Sequence, residues 1–164
     1  MSKIFQPIID FFINHVTKEL AVLIIAMLPL IELRGAIPVG VALGVPMSEA
    51  IFISYLGSTI PAIFIVYLIG YVFKILRKIN FMDRLITKIN HKTMSKKEQI
   101  EKYGYWGLML FVGIPLPGTG AWSGALLSHL LNLGKKRSIL AIALGNAIAA
   151  IIMAFLSGAI KFIF

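Results

Sequence analysis

The chain contains no cysteine, so its 164 residues form no disulfide and offer no thiolate to a metal ion. Its three histidines (His15, His91 and His129) lie too far apart in sequence to suggest a metal site. The sequence also lacks a nucleophile, base and acid at catalytic spacing, and it has no phosphate-binding loop. These absences argue against an enzyme and against an ATP-driven pump, and they imply no cofactor.

Charge is scarce as well, and apolar residues take its place. Charged residues make up only 14 % of the chain, whereas a soluble domain carries about 25 %. The apolar fraction is 59 %, and the mean hydropathy is +0.90. Segments 50–73 and 138–160 contain no Asp, Glu, Lys or Arg, and about 20 apolar residues span the hydrocarbon core of a bilayer. The sequence therefore predicts a multi-pass membrane protein with a transmembrane helix in each segment.

Two further segments are amphipathic. Residues 1–18 alternate apolar and polar side chains at helical spacing, which predicts an interfacial helix. Residues 74–102 carry nine lysines and arginines against three acids, which predicts a basic amphipathic arm on the membrane surface. A solvated connector with no role beyond topology is the alternative. Because the basic residues flank apolar spans, the net charge of +9 indicates anionic lipids as partners rather than nucleic acid.

The charges also predict the topology. Positively charged loops stay in the cytoplasm, so the arm 74–102 and the cluster 135–137 both belong on that side. Segment 103–134 then begins and ends on one side, and the Pro/Gly break at 115–120 divides it into two arms of half the bilayer depth. We therefore predict a re-entrant hairpin there. Segment 20–48 has a similar length and similar breaks, which predicts a second re-entrant hairpin that enters from outside.

The two halves share a weak internal resemblance. Each hairpin carries proline and a Gly-x-x-x-Gly pattern, and each span carries a Leu-Gly pair: Pro38, Gly40, Gly44 and Leu56-Gly57 in the first half, and Pro117, Gly120, Gly124 and Leu144-Gly145 in the second. On the predicted topology the copies are inverted, as in many secondary transporters. The predicted fold of residues 1–164 is a single all-α integral membrane domain. It is an inverted repeat of two re-entrant helical hairpins, each followed by a transmembrane helix, with amphipathic interfacial helices besides.

Glu32 and Arg34 are the strongest functional signal, since an ionisable residue within a membrane segment costs about 2.5–3.5 kcal/mol. A glutamate in low dielectric suits proton exchange near neutral pH, so we predict that Glu32 couples transport to protons. The guanidinium of Arg34 suits a phosphate or carboxylate of the substrate. A structural ion pair is the alternative. It would need a local break near Gly35, because positions two apart on a regular helix face different ways.

The stretch PLPGTGAWSG, residues 115–124, is the second signal. Its glycines and the Thr119 hydroxyl can expose hydrogen-bond donors at a helix start, which is a site for an anion. The alternative is that proline and glycine only shape the bend. Asn146, Ser58 and Thr59 are expected to bond to the opposite hairpin or to join helices. The predicted substrate-binding residues are Arg34, Gly35, Pro38, Pro115, Pro117, Gly118, Thr119, Gly120, Trp122, Ser123 and Asn146.

At PLIELRGAIPVG (29–40) and PLPGTGAWSG (115–124) the chain resembles the family of small multi-drug export proteins, over nearly its whole length. That family is similar to a branch of the DedA-like (VTT, SNARE-associated) membrane superfamily. The resemblance implies a prokaryotic inner-membrane protein with two inverted re-entrant hairpins and a transport role. DedA-like proteins are associated with proton-dependent transport and with flipping of polyprenyl-phosphate lipids. Their pattern places acidic and arginine residues in both halves, whereas here only the first hairpin carries them.

The leading functional prediction is a secondary transporter or flippase, proton-linked, for an amphipathic anionic substrate such as a polyprenyl-phosphate lipid carrier. Arg34 beside Glu32 repels cations, which favours this substrate over a cationic drug. Small-molecule (multi-drug) export and a non-transporting membrane scaffold or assembly factor are the alternatives. Because two spans and two half-depth hairpins are little material to enclose a pathway, we also expect a homodimer, packed through the small-residue faces.

Overall fold

The computed structural model describes residues 17–76, 78, 84, 87, 97–116 and 118–163, and these residues form helices and turns without a strand. Six helices have defined bounds: α1 (Lys18–Met27), α2 (Glu32–Ala42), α3 (Met47–Leu76), α4 (Lys97–Gly113), α5 (Ala121–Leu130) and α6 (Lys135–Ile163). Most of the interfacial helix predicted over 1–18, most of the basic arm and Pro117 lie outside the described residues.

The all-helical fold and the two long apolar helices are confirmed. Met47–Ile75 of α3 and Lys135–Gly158 of α6 are long and apolar enough to cross a membrane. Both helices extend beyond the predicted spans at each end. Helix α4 begins at Lys97, inside the segment 74–102 assigned to the surface arm, and continues into segment 103–134. No proline interrupts the chain until Pro115, so one helix runs from the polar segment into the apolar one.

A short turn at residues 28–31 separates α1 from α2. Thr17 caps the start of α1, where its hydroxyl accepts a hydrogen bond from the N–H of Leu20 (3.3 Å). Pro29 ends α1, because the residue before a proline is driven into extended backbone, and Leu28 has ψ of 132°. The other candidate breakers in the middle of this segment lie within α2: Gly35, Pro38 and Gly40. The break in segment 20–48 therefore precedes the charged pair.

The helices α2 and α5 end in the same way. The residue that follows each last turn has positive φ, 83° at Gly44 and 51° at Asn132. The N–H one residue later bonds back to a carbonyl of the last turn: Val45 to Gly40 at 3.0 Å, and Leu133 to Ser128 at 2.9 Å. This is the Schellman arrangement, which satisfies carbonyl groups that a helix end leaves without partners. Each residue of the second set lies 88 positions after its counterpart.

The two halves of the chain keep this spacing of 88 residues elsewhere. The starts of α3 and α6, Met47 and Lys135, are 88 positions apart. The predicted Leu-Gly pairs follow the same spacing, with Gly57 in α3 and Gly145 in α6. The Gly-x-x-x-Gly patterns do not follow it: Gly40 and Gly44 lie at the end of α2, whereas Gly120 and Gly124 lie at the start of α5. These two patterns are therefore not equivalent positions.

Gly57 and Gly145 let the first and third helices of each half pack closely. A Cβ atom on Gly57 would lie 3.0 Å from the carbonyl oxygen of Leu23 in α1. A Cβ atom on Gly145 would lie 2.6 Å from the carbonyl oxygen of Met109 in α4. Small residues at such positions allow helix backbones to approach each other in membranes. Each half is thus held together by the same glycine contact.

In the first half, α1 runs parallel to α3 and reaches its middle. The ammonium of Lys18 lies at the start of α1 and 3.5 Å from the Cβ position of Gly44, just before α3 begins. Ala26, near the end of α1, meets Gly57 in the middle third of α3. The turn at 28–31 therefore lies beside the middle of α3.

The second half repeats this geometry. Tyr105, early in α4, accepts a hydrogen bond from the N–H of Gly134, just before α6 begins (3.0 Å). The Cβ position of Gly113, at the end of α4, lies 3.3 Å from Ile148 in the middle of α6. The helix α4 therefore runs parallel to α6, and the turn that follows it lies beside the middle of α6.

The two long helices contact each other and run antiparallel. At the start of α6, the ammonium of Lys135 lies 5.2 Å from the ring centroid of Tyr67. Further along α6, the Asn146 amide donates to the hydroxyls of Ser58 (3.2 Å) and Thr59 (3.0 Å). Contacts on α3 thus move toward its start as α6 advances. Ser58 and Asn146 are themselves 88 residues apart, so equivalent positions of the two halves meet at this crossing.

Candidate functional site

Glu32 and Arg34 form an ion pair at the start of α2. The guanidinium Nη1 of Arg34 lies 2.6 Å from Oε2 of Glu32. Glu32 has φ of 50°, a left-handed conformation that costs a residue of this type about 1–2 kcal/mol. This backbone turn brings together two side chains that a regular helix would point apart. The ion pair considered as an alternative is therefore present, and the break that allows it lies at Glu32 itself rather than near Gly35.

The carboxylate of Glu32 caps the start of α5. Its Oε2 accepts a hydrogen bond from the N–H of Ala121 (3.2 Å), and its Oε1 accepts one from the N–H of Trp122 (3.1 Å). The first N–H groups of a helix have no partner within the helix, and the helix dipole favours an anion there. The start of α5 thus holds the carboxylate of a residue from α2.

The guanidinium of Arg34 reaches the end of α4. Its Nη2 donates to the carbonyl oxygen of Val112 at 2.7 Å. This carbonyl lies in the last turn of α4, where carbonyl groups lack helical partners and the dipole favours a cation. The ion pair therefore joins the end of α4 to the start of α5, with each charge at the helix end of opposite polarity.

Gly120 provides the space for this contact. A Cβ atom at position 120 would collide with the carboxylate of Glu32. The backbone of Gly120 is extended, with φ of 162°, and other residues adopt such a conformation without strain. The glycine is therefore required here for room and not for its conformational freedom.

Thr119 and Gly118 shape the turn between α4 and α5. The Thr119 hydroxyl accepts a hydrogen bond from the N–H of Leu116 (3.2 Å) and lies 2.7 Å from the carbonyl oxygen of Ile114, to which it can donate. Gly118 has φ of 82°, which favours glycine. These bonds engage the Thr119 hydroxyl within its own turn.

A pocket of about 1140 Å³ lies beside the ion pair. Residues of both turns and of the later parts of α3 and α6 form most of its wall, and most of the wall is apolar. Among the described residues that line it, Glu32 and Arg34 are the only ionisable ones. The other polar side chains of the wall belong to Thr119, Trp122 and Ser123. The pocket therefore combines a large apolar volume with one localised polar region.

Two residues that line the pocket each carry a buried hydrogen-bond donor with no partner among the described residues. The donors are the Nε of Arg34 and the indole Nε1 of Trp122, and both atoms are buried. Buried donors are nearly always paired in native structures. Two unpaired donors on residues of one pocket favour a ligand that brings acceptor oxygens, which would reach these buried atoms only after a local movement of the side chains around them.

The structure brings most of the predicted site residues to this pocket. Its wall contains Glu32, Arg34, Gly35, Pro115, Gly118, Thr119, Trp122 and Ser123. Gly120 lies against the Glu32 carboxylate. Pro38 lies within α2 and is not part of the wall. Pro117 lies outside the described residues. Asn146 is completely buried at the crossing of α3 and α6 and bonds to Ser58 and Thr59 instead of to a hairpin.

The apolar wall was missed from the sequence. It comprises, among others, Phe64, Leu68 and Val72 in α3, Leu126 in α5, and Met153 and Leu156 in α6. Within an apolar span, nothing in the sequence distinguishes a pocket residue from one that faces lipid. A usable signal existed only at the turns, where Pro29-Leu30 and Pro115-Leu116 repeat, and both leucines line the pocket. Among the described residues, no group of His, Asp and Glu side chains could hold a metal ion.

A family model matches most of the chain. Residues 32–152, most of the chain, match the family described as "Putative small multi-drug export protein". No curated protein and no solved structure matches the chain. The matched region contains the ion pair, the turn between α4 and α5 and most of the pocket wall, and together with the two long apolar helices it indicates a membrane protein. The chain belongs to the small multi-drug export protein family.

Proposed function

We propose that this protein is a proton-linked secondary transporter, or flippase, for an amphipathic anionic substrate. The family description supports a role in export. The observation that carries the finer proposal is the pocket, which combines a large apolar wall with one ion pair and two unpaired donors. An amphipathic molecule has an apolar body and a polar head that match these two regions.

The position of the pocket supports a substrate taken from the lipid. Its wall includes residues of the later half of α3 and of the later half of α6. Because α3 and α6 run antiparallel, their later halves lie in opposite leaflets if both cross the bilayer. Phe64, Leu68 and Leu156 in this wall are half or more exposed on the surface of the chain. A groove of this kind allows a lipid tail to remain in the bilayer while the head group passes Arg34 at mid-depth.

The chemistry of the polar region supports an anionic head group. Arg34 remains charged at any physiological pH, and its guanidinium suits phosphate or carboxylate oxygens. The carboxylate of Glu32 is already engaged by Arg34 and by two backbone N–H groups, so it offers little to a cationic ligand. A cation at this site would lie beside an arginine.

Glu32 is our candidate for proton coupling. As a carboxylate it accepts bonds from Arg34, Ala121 and Trp122. A proton on Glu32 would remove the charge that holds Arg34 and would weaken all three bonds. Uptake of a proton would then release Arg34 to an anionic substrate, and loss of the proton would restore the ion pair.

We further propose that the two short helix pairs are re-entrant hairpins of an inverted repeat, as in the DedA-like architecture. The spacing of 88 residues, the antiparallel crossing of α3 and α6, and the turns beside the middles of these helices support this. The basic segment 74–102 and the cluster 135–137 adjoin the end of α3 and the start of α6. Lys135 lies against Tyr67, which supports placing both basic segments on the same, cytoplasmic side.

A polyprenyl phosphate is the candidate lipid, and small-molecule export is the second candidate function. The family description and the apolar wall both favour the export of apolar compounds. A non-transporting scaffold or assembly factor predicts that Glu32 and Arg34 matter to stability alone. The three possibilities differ in what crosses a membrane, and one assay distinguishes them.

The test is transbilayer movement of a labelled polyprenyl phosphate in liposomes that contain the purified protein. We expect the Arg34→Gln variant to lose movement, and the Glu32→Gln variant to move lipid without responding to a pH gradient. Glu49→Gln is the matched control, since Glu49 is an exposed glutamate in the first turn of α3. No movement by folded wild-type protein would overturn the flippase proposal. Transport of apolar drugs would then favour export, and failure of both would favour the scaffold.

We also propose that the protein acts as a homodimer in the membrane, since a second copy would enclose the exposed side of the pocket. The small-residue faces expected to form the interface are used within the chain, where Gly40 packs against Val22 and Gly124 against Val112. Chemical cross-linking in native membranes tests this proposal. A dimer band is expected, and monomer alone would contradict it.

A further inference from the structure

The carboxylate of Glu32 occupies a position suited to an acidic group of a ligand. It accepts hydrogen bonds from the N–H groups of Ala121 and Trp122 at the start of α5, and it forms an ion pair with the guanidinium of Arg34. Glu32 is only 3 % exposed. Nothing in this set of donors is specific to a glutamate, because backbone N–H groups and a guanidinium bind any oxyanion of suitable size.

We propose that these donors form the binding site for the acidic head group of the substrate, and that Glu32 is a tethered competitor that fills this site when ionised. This inference rests on the proposed function and specifies its binding step. In the structure the site is closed by the protein's own carboxylate. Substrate binding requires that this carboxylate leaves, either by protonation or by displacement.

The unpaired Nε of Arg34 indicates which head group fits best. The two oxygens of Glu32 serve Nη1 of Arg34 and two backbone N–H groups, while the buried Nε stays without an acceptor. A phosphate or sulfonate carries three oxygens around one atom and can serve this further donor. The site therefore favours such a head group over a second carboxylate.

Gly120 is the positioning residue of this arrangement. The carboxylate fits against the start of α5 only because position 120 has no Cβ atom. The Gly120→Ala substitution brings no backbone strain, so its direct effect is to exclude the Glu32 carboxylate. The variant should therefore hold the site open at any pH, as protonation of Glu32 does in the wild type.

Within the described part of the chain, we expect Glu32 to be the group whose protonation makes anion binding at this site depend on pH. The charged group that contacts it from its own helix is Arg34, which does not titrate in the physiological range. The residues of α5 and of the preceding turn that meet the carboxylate do so with backbone atoms. Weaker Glu32 competition at low pH is thus expected to strengthen anion binding.

A tryptophan titration tests the proposal with the full chain in lipid nanodiscs. The chain has two tryptophans, and Trp106→Phe replaces the exposed one, leaving Trp122 at the site as the reporter. The probe is a long-chain alkyl sulfonate, which stays anionic throughout the pH range used. We expect at least about tenfold tighter binding near pH 5 than near pH 8, or about 1.4 kcal/mol. Glu32→Ala and Gly120→Ala should each bind tightly at both pH values.

Three controls make the result specific. Gly107→Ala places a methyl group in open space and should behave as the wild type. Adding Gly120→Ala to Glu32→Ala should bring no further gain, because the carboxylate that the methyl group excludes is already absent. An alkyl trimethylammonium probe of equal chain length should show no tighter binding at low pH.

Equal sulfonate affinity at both pH values in the wild type would overturn the proposal without any substitution in the site. The proposal would also be overturned if Gly120→Ala raised the affinity for the sulfonate equally in the presence and in the absence of the Glu32 carboxylate. Probe binding that follows the expected pattern, combined with no lipid movement in liposomes, would sustain this inference while rejecting the proposed function.

Discussion

The two halves of the molecule resemble each other at several helix ends and glycine contacts and differ at the turns where they meet. The end of α2 and the start of α3 have counterparts 88 residues later at the end of α5 and the start of α6, and Gly57 in α3 has one at Gly145 in α6. At the tips, however, Glu32 corresponds to Gly120 and Arg34 to Trp122 on this spacing. The first half provides both charges, and the second half provides two helix ends and the space that receives them.

This difference explains why position 120 carries no side chain. The position equivalent to Glu32 lies against the Glu32 carboxylate itself, and any side chain there would collide with it. A second glutamate would also bring two negative charges into one buried site. A single ion pair therefore contacts both halves.

Breaking the ion pair from one side should have the largest effect on stability. Arg34→Leu leaves the Glu32 carboxylate buried without its cation, which costs about 3–5 kcal/mol in comparable cases. We expect a large fall in the thermal midpoint in detergent micelles. Replacing both residues, as Glu32→Gln with Arg34→Leu, should recover most of the loss, because no unpaired charge remains. A double variant as unstable as Arg34→Leu alone would contradict this account.

The glycines of the two long helices allow a sharper comparison between halves. Gly57→Ala and Gly145→Ala both insert a methyl group between packed helices, for which about 1–3 kcal/mol is typical. Gly145→Ala should be the more harmful, since its methyl would lie closer to a backbone carbonyl, at 2.6 Å against 3.0 Å. Thermal midpoints of both variants, with Gly107→Ala as the unhindered control, measure the difference. A lower thermal midpoint for Gly57→Ala than for Gly145→Ala would mean that α4 shifts away from the added methyl group more readily than α1 does.

The smallest effects should come from the ends of α2 and α5. Gly44 and Asn132 occupy equivalent positions with positive φ, where an alanine costs about 1–2 kcal/mol relative to glycine. Gly44→Ala should therefore destabilise the protein modestly, while Asn132→Gly should be neutral or slightly stabilising. Denaturation of both variants under identical conditions provides the check. Loss of stability in Asn132→Gly would indicate a role for the asparagine side chain that its backbone conformation does not explain.

Hydropathy, proline and charge were sufficient to predict the long helices and the second turn. An apolar run of more than twenty residues has few alternatives, and Pro115 with Gly118 marks a bend plainly. The first turn was harder to place, because six prolines and glycines occur from Pro29 to Pro46 and three of them lie within α2. Internal repeats were detectable, but the glycine patterns suggested a correspondence that the helix ends do not support.

The charged pair was identifiable as a site from the sequence, while its partners were not. Glu32 and Arg34 stand out because ionisable residues are rare in such segments. Their contacts are the N–H groups of Ala121 and Trp122 and the carbonyl of Val112, which every residue type carries. Only the approach of α4 and α5 to α2 in three dimensions selects these groups among all others.

The use of main-chain partners limits what genetics can reveal about this site. A substitution can remove the side chain of Glu32 or Arg34. No substitution of Val112 removes the carbonyl that accepts from Arg34, and only proline in place of Ala121 removes the N–H that donates to Glu32. Loss-of-function screens should therefore point to the first hairpin and overlook the second. Suppressors of a defect at Glu32 have few places to arise, and Arg34 and Gly120 are the positions at which to look for them.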